Sequence, residues 1–396
     1  MVGMAALNAL MLWRAGSEIA QGYGDFASFY TAGKIVQRGQ ASQLYDRRLQ
    51  WHVQQEFAPE VRTRRGPLPY IRPPFEALLF LPLAYLKFAP AHLLWSILNV
   101  MGLFLFLFLL PRDLGDENHL YALDLLVCAA FFPLAYDLLA GQDAILLLLV
   151  MVIALRSLLA GKDFLTGMVL GLGLFKFNLL IPVFLVFLLR KKLRVFGGLM
   201  VTACVLLLIS VAVVGPAALV GYPKYLWDLD HAVGVGVITA ETMPNVRGLL
   251  VPLLGTRTIS NLLHLFLAAV VLAGVAVTAH IWGTDNSDRN PRVTMAGFSL
   301  LIVVTLVTSY YANSYDLTLL LIPIFLLSRD FAAAQLIRGW PRTLFLSCVA
   351  LLLFSAVWWV IALPINQFFW MGWVLLVFAV ALGRTVQIWQ HQRSKL

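Results

Sequence analysis

A carboxylate stands just past the first apolar run of this sequence, in Gly22-Tyr23-Gly24-Asp25-Phe26-Ala27-Ser28-Phe29-Tyr30. The two glycines let the backbone turn closely. A helix end would hold Asp25 at a water–lipid boundary, where it can accept a proton. Asp25 can also be read as the N-cap of a helix over 26–37, since Asp favours that position; the two roles are compatible. The next chemistry-bearing stretch is Tyr70-Ile71-Arg72-Pro73-Pro74-Phe75-Glu76. Its prolines pre-set a helix start, and a helix start favours anions. A phosphate there would meet the Arg72 guanidinium and free N–H groups together. A plain helix start with a snorkelling arginine accounts for the stretch equally well.

Three more interruptions of apolar sequence carry polar groups. Ala140-Gly141-Gln142-Asp143 is a minimal turn, with Tyr136 and Asp137 one helical turn earlier. Asp143 either caps the next helix or joins Asp25 in a polar pocket; ionisable residues near hydrocarbon are costly and are functional candidates for that reason. In Lys176-Phe177-Asn178 the lysine either snorkels to an interface or faces the bundle interior as a phosphate ligand. Tyr310-Tyr311-Ala312-Asn313-Ser314-Tyr315-Asp316 is dense in hydrogen-bonding groups. Such side chains suit a sugar, which needs paired donors and acceptors with aromatic faces. An interfacial aromatic belt accounts for the tyrosines but not for Asn313 and Asp316. Glu241-Thr242-Met243-Pro244-Asn245-Val246-Arg247-Gly248 lies in a loop of a length that is often functional.

The elements that position these groups must be membrane helices. Of 396 residues 61% are apolar and 12% charged, against about 25% charged in a soluble domain, and mean hydropathy is +0.84. That excludes a soluble enzyme, a disordered chain, a coiled coil and a secreted disulfide scaffold. Apolar runs predict about twelve spans (11–13), near 1–20, 90–111, 120–139, 143–160, 164–176, 178–190, 193–214, 258–282, 293–310, 315–328, 341–362 and 366–388. Pro74–Phe88 is too short to cross upright and is expected to lie in the interface or re-enter. The apolar stretch Met1–Trp13 ends in Arg14 and Glu18, which predicts an uncleaved short helix rather than a signal peptide. Cys128, Cys204 and Cys348 all sit in apolar runs and read as small core hydrophobes, not as a disulfide framework.

Net charge is +9. It reads as loop charge set by membrane orientation and anionic lipid, not as a nucleic-acid footprint. The densest short basic turn, Arg190-Lys191-Lys192-Leu193-Arg194, is assigned to the cytoplasm, which puts both termini inside. The outer face then receives 21–89, 140–143, 215–257, 310–316 and the break at 176–178. Segment 21–89 is itself basic, with Arg62, Arg64 and Arg65 among its cations. Either the topology is inverted, or a loop this long escapes the charge rule, or the loop binds a lipid phosphate at the surface.

With these segments in view the sequence resembles glycosyltransferase family 87, the polyprenol-phosphate-mannose-dependent mannosyltransferases of the GT-C membrane superfamily. The resemblance rests on ordered motifs: Asp25 to Gly33 continuing to Leu44-Tyr45-Asp46, Tyr70 to Ala84, Gly141-Gln142, Gly171-Leu172-Gly173 leading to Lys176, Pro244 to Leu250, and Ser309-Tyr310 with Tyr315-Asp316-Leu317. The chain departs from the family pattern at Ala144, Asn178 and Tyr315-Asp316, which bears on the sugar and acceptor more than on the reaction class. The resemblance implies one all-α integral-membrane GT-C domain over 1–396, with interfacial helices in the outer loop 21–89 and a second long outer loop at 215–257. It implies an inverting transfer of a hexose, mannose in the family, from a polyprenyl-phosphate donor to a lipid or glycan hydroxyl. Asp25 fits the base, and Arg72 and Lys176 the phosphate ligands, with Arg64 and Arg65 behind them. Tyr30, Gln142, Asp143, Asn245, Arg247, Tyr311, Asn313, Tyr315 and Asp316 are the expected substrate-binding residues. No metal or other cofactor is expected, because a lipid monophosphate carries less charge than a nucleotide diphosphate and basic side chains can balance it. The expected setting is the inner (plasma) membrane, multi-pass, with the active site on the periplasmic face. The rival readings are a lipid-linked glycan flippase or polymerase, and a secondary transporter. A transporter should show internal repeats with paired broken helices, and no convincing repeat is found.

Overall fold

Backbone polar groups have no water to bond in hydrocarbon, so a chain this apolar must satisfy them within helices. In the computed structural model, which describes residues 1–59, 61, 66–111, 121–231, 240–254, 261–283, 290–332, 339–357 and 369–393, no strand occurs among the described residues. The first part holds α1 (Val2–Ala20), α2 (Phe26–Gln37), α3 (Arg47–Phe57), the single turn α4 (Ala77–Phe80) and α5 (Phe88–Leu109). Then come α6 (Tyr121–Ala130), α7 (Phe132–Ala140), α8 (Ala144–Leu159), α9 (Asp163–Leu172), α10 (Phe177–Leu189) and α11 (Leu193–His231). The last part holds α12 (Val246–Leu254), α13 (Asn261–Trp282), α14 (Pro291–Thr308), α15 (Leu321–Ala332), α16 (Trp340–Leu353) and α17 (Met371–Arg393).

Six stretches of the described residues are long and apolar enough to cross a membrane, or seven if the pair α6–α7, bent by 67°, is one span. The protein is thus an all-α polytopic membrane protein. The expected count of twelve depends on shorter helices such as α8, α15 and α16, and part of the expected span 341–362 lies outside the described residues.

Side-chain contacts give the bundle two distinct ends. Trp95, near the start of α5, bonds Gly141 just ahead of α8, while Arg156 at the far end of α8 bonds Leu109 at the end of α5. The stretch Asp163–Leu189 does not run straight. Lys192 pairs with Asp163 at 3.2 Å, whereas a straight helix of that length would hold its ends about 40 Å apart. The chain therefore folds back through the 3-10 turn Gly173–Lys176, as the division into 164–176 and 178–190 anticipates. Lys176 sits at the tip of this hairpin, and the basic turn 190–194 lies at the opposite end.

One expectation is revised. Residues 216–231 continue α11 as helix rather than opening a loop: Gly215 (φ 80°) breaks the axis, and Pro216 restarts the helix with its fixed φ. The piece 74–88, expected to lie in the interface or re-enter, is built of short turns, Pro74–Glu76, Ala77–Phe80 and Leu83–Tyr85. These pack with α2 into a separate aromatic core of Phe26, Phe29, Tyr70, Phe80 and Trp95.

Candidate active site

Two glycines bring the first pieces together. A Cβ at Gly24 would lie 3.1 Å from the Ala140 carbonyl oxygen, and one at Gly141 would lie 2.7 Å from the Phe26 Cβ. Gly141 also has φ 65°, a conformation side chains resist. Without side chains at these points, the turn after α1 and the turn after α7 pack backbone against backbone. Gln142 then reaches both partners: its Nε2 donates to Asp25 Oδ2 at 2.8 Å, and its Oε1 accepts from Arg72 Nη2 at 3.2 Å. A single amide bridges the carboxylate and the guanidinium.

Asp25 occupies the N-cap position of α2, but its backbone is already helical (φ −66°, ψ −19°) and its side chain makes no cap bond. The capping role is therefore set aside, and the carboxylate turns to Gln142. Asp46 shows the contrast: extended at φ −77°, ψ 112°, it accepts from the backbone N–H of Arg48 and Leu49.

Arg72 is delivered by an extended segment whose backbone bonds go to side chains. Gln54 both donates to and accepts from Leu68 at 2.9 Å, and Gln50 accepts from the Tyr70 N–H at 3.3 Å. Spaced four apart on α3, the two amides share one face. Tyr222 and Tyr45 donate to the carbonyls of Ile71 and Arg72, each at 2.8 Å.

Behind Arg72 runs a line of buried charge. Asp143 Oδ1 accepts from Arg72 Nη2 at 2.9 Å and from Lys176 Nζ at 2.8 Å; Lys176 also bonds Asp316 Oδ1 at 2.5 Å. Asp316 Oδ2 accepts from the Asn313 N–H at 2.8 Å, and the Asn313 side chain donates to the hydroxyls of Tyr311 and Tyr315. Arg72, Asp143, Lys176 and Asp316 are at most 6% exposed. Burial on this scale is tolerated because every charge has an opposite partner in contact. Burial opposes ionisation of Asp143, but Arg72 and Lys176 outweigh it and hold the carboxyl below the usual carboxylate range.

The front of this line opens on a pocket of about 130 Å³. Its polar wall is Asp25, Ser28, Arg72, Gln142, Tyr311 and Tyr315; Phe29, Leu68 and Leu229 are among its apolar groups. It presents one carboxylate, one guanidinium and tyrosine faces to a common space. That arrangement can take a proton, meet an anion and stack against a sugar. Among the described residues no group of three or more His, Cys, Asp and Glu side chains is placed to hold a metal ion.

The expected site residues divide three ways. Asp25, Arg72, Gln142, Tyr311 and Tyr315 line the pocket. Asp143, Lys176, Asn313 and Asp316 stand behind it; Lys176, 1% exposed and absent from the pocket wall, acts on Arg72 through Asp143 rather than reaching the pocket. Asn313 and Asp316 form a capping box on the 3-10 turn Ser314–Leu320, a structural use that the sequence reading does not foresee. Tyr30, Asn245 and Arg247 lie elsewhere. Tyr30 is buried against Phe57 and Phe88, with its hydroxyl on the Leu86 carbonyl at 2.6 Å. Asn245 bonds the Ser309 carbonyl and the Gly248 N–H, and Arg247 pairs with Asp230 at 2.6 Å. Arg64 and Arg65 lie outside the described residues. Sequence reasoning misses Gln50 and Gln54, whose signal is the i, i+4 amide pair on a polar helix, and Asp230, which holds Arg247 and Tyr310 together.

A family model described as Glycosyltransferase family 87 matches residues 70–309. The chain belongs to glycosyltransferase family 87. As a member of that family with many apolar helices, it is a membrane glycosyltransferase. The matched stretch carries Arg72, Gln142, Asp143 and Lys176, while Asp25 and the turn 310–316 fall outside it and are joined to it by the bonds above. Comparison with curated proteins and with solved structures finds no match.

Proposed function

We propose that this family 87 enzyme moves a hexose, mannose by resemblance to its family, from a polyprenyl-phosphate donor to a hydroxyl of a lipid or glycan acceptor. The setting is the periplasmic face of the inner (plasma) membrane, because the basic turns gather at the end of the bundle opposite the pocket. The acceptor hydroxyl attacks the anomeric carbon, and Asp25 takes the hydroxyl proton. The new carbon–oxygen bond forms as the bond to the phosphate oxygen breaks, with inversion. The leaving polyprenyl phosphate gains negative charge, which Arg72 meets through the guanidinium face turned to the pocket. Asp143 and Lys176 fix Arg72 from behind, and Tyr311 and Tyr315 offer ring and hydroxyl groups to the sugar.

The observation that carries this reading is the Asp25–Gln142–Arg72 bridge on one pocket wall. It sets a base and an anion ligand one amide apart, so both can face one bound sugar. The test is incubation of the purified protein with polyprenyl-phosphate sugars and a panel of acceptor lipids, read by mass spectrometry. Acceptor gaining one hexose, with polyprenyl phosphate released, is the expected outcome. Passage of lipid-linked sugar across vesicles without any new glycosidic bond would replace this reading with a flippase.

A further inference from the structure

The transfer described above makes no use of Glu76, yet this residue is 3% exposed and belongs to the same cluster. Its Oε2 accepts from the Tyr70 hydroxyl at 3.3 Å, and Arg72 Nε stands 4.0 Å away, too far for a hydrogen bond. Its Oε1 is buried with no donor in reach, and so is Asp143 Oδ2. The two carboxyl groups flank one guanidinium: Asp143 Oδ1 stands 2.9 Å from Arg72 Nη2 and Glu76 Oε2 4.0 Å from Arg72 Nε. Two ionised carboxylates in that position would repel, and both orphaned oxygens would go unsatisfied. One shared proton removes both costs. Asp143 is in direct contact with two cations and Glu76 with none at bonding distance, so the proton belongs on Glu76.

We propose that Glu76 is a neutral carboxylic acid that donates its proton to Asp143, keeping the charge line behind the pocket balanced and thereby positioning Arg72 for the donor phosphate. The four side chains in ionic contact, Arg72 and Lys176 against Asp143 and Asp316, then cancel. An ionised Glu76 would leave one surplus negative charge beside Arg72. The groups facing Glu76 are Tyr70 and Arg72 from its own segment, Asp143 from the turn before α8, Lys176 from the hairpin tip, Tyr45 ahead of α3 and Tyr222 from α11. Burial, then Asp143, push its carboxyl well above the usual range. With the carboxyl raised, the balanced state holds below the raised value and is lost as pH climbs through it.

The kinetic part of the test rests on the transferase reading; the spectroscopic part does not. Glu76→Gln supplies an N–H to Asp143 at every pH. It is expected to keep kcat and donor KM within about twofold at neutral pH, since one donor replaces another, and to lack the alkaline rise in donor KM expected of the wild type. Glu76→Ala strands Asp143 Oδ2 and is expected to raise donor KM roughly tenfold. If Glu76→Gln raises donor KM as far as Glu76→Ala, Glu76 is an ionised counter-ion and the proposal falls. The infrared difference spectrum of wild type minus Glu76→Gln, at neutral pH in detergent, should contain the carbonyl stretch of a protonated acid. A carboxylate band there instead overturns the proposal whether or not the protein transfers sugar. Absence of wild-type transfer from any donor would remove the transferase reading and leave the infrared result to decide Glu76.

Discussion

Gln142 holds Asp25 on one side and Arg72 on the other, which makes an uncharged amide as consequential as either charge. Gln142→Leu keeps most of the volume and removes both bonds. Loss of two hydrogen bonds to charged partners is worth about 1.5–3 kcal/mol each, so a lower thermal unfolding midpoint is expected together with a fall in kcat of at least roughly tenfold, because Asp25 and Arg72 lose their common anchor. An unaltered kcat would show that the bridge is incidental. Lys176→Met acts differently, because it leaves Asp143 and Asp316 buried without their shared cation. Breaking a buried ionic group this way costs about 3–5 kcal/mol. Thermal unfolding in detergent should show that loss, and Lys176→Met with Asp316→Asn should recover part of it. At this scale the sequence is informative where a charge interrupts apolar residues: Asp25, Arg72, Asp143 and Lys176 stand out by cost alone. It misleads at Tyr30, whose ring and hydroxyl are consumed by Phe57, Phe88 and the Leu86 carbonyl. It is silent at Glu76, because nothing in 70–79 shows that Asp143, 67 positions away (143 − 76), will face it.

Turns, more than helices, assemble the pocket. The turn 140–143 depends on Gly141, where a Cβ would meet Phe26 and φ is positive. Gly141→Ala is expected to cost about 1–3 kcal/mol from overpacking and backbone strain together, and to lower kcat further because Gln142 moves with the turn. Gly161→Ala is the matched control: φ is +69° but a Cβ would meet nothing within 4 Å. It should show strain of about 1 kcal/mol in thermal unfolding and wild-type turnover per folded molecule. Equal kcat losses at the two glycines would contradict this account of the turn. Helix hairpins were legible where a polar residue marks the tip, as at Lys176. The helix 216–231 was not, because Gly215-Pro216 is the same signal that ends helices, and here it ends one axis and starts another. The extended stretch 66–72 was equally hidden, since its bonds go to the side chains of Gln50, Gln54, Tyr45 and Tyr222 rather than to a strand.

The whole molecule is polar along the bundle axis. Asp25, Arg72, Lys176 and the turn 310–316 meet at one end; Arg156, Lys192 and Arg190 sit at the other, with Arg190 bonded to the Gly283 carbonyl. Membrane character and this one-sidedness could be read from composition and charge. The number of spans could not, because Asp163–Leu189 folds back as helices of 10 and 13 residues, while α11 runs 39 residues through a break at Gly215. Ser42 and Lys191 are exposed at opposite ends. In a background without reactive cysteines, Ser42→Cys should label from outside intact cells and Lys191→Cys only after permeabilisation; the reverse pattern would invert the orientation. The most direct test of the central claim is single-turnover transfer by the purified protein carrying Asp25→Asn, with donor binding and thermal unfolding measured on the same sample. The amide fills the same space and still accepts from Gln142 but cannot take a proton at working pH. The transfer rate is expected to fall about 10²–10⁴-fold, with binding and stability near wild type. Turnover above about a tenth of wild type, less than the loss a positioned base entails, would contradict it.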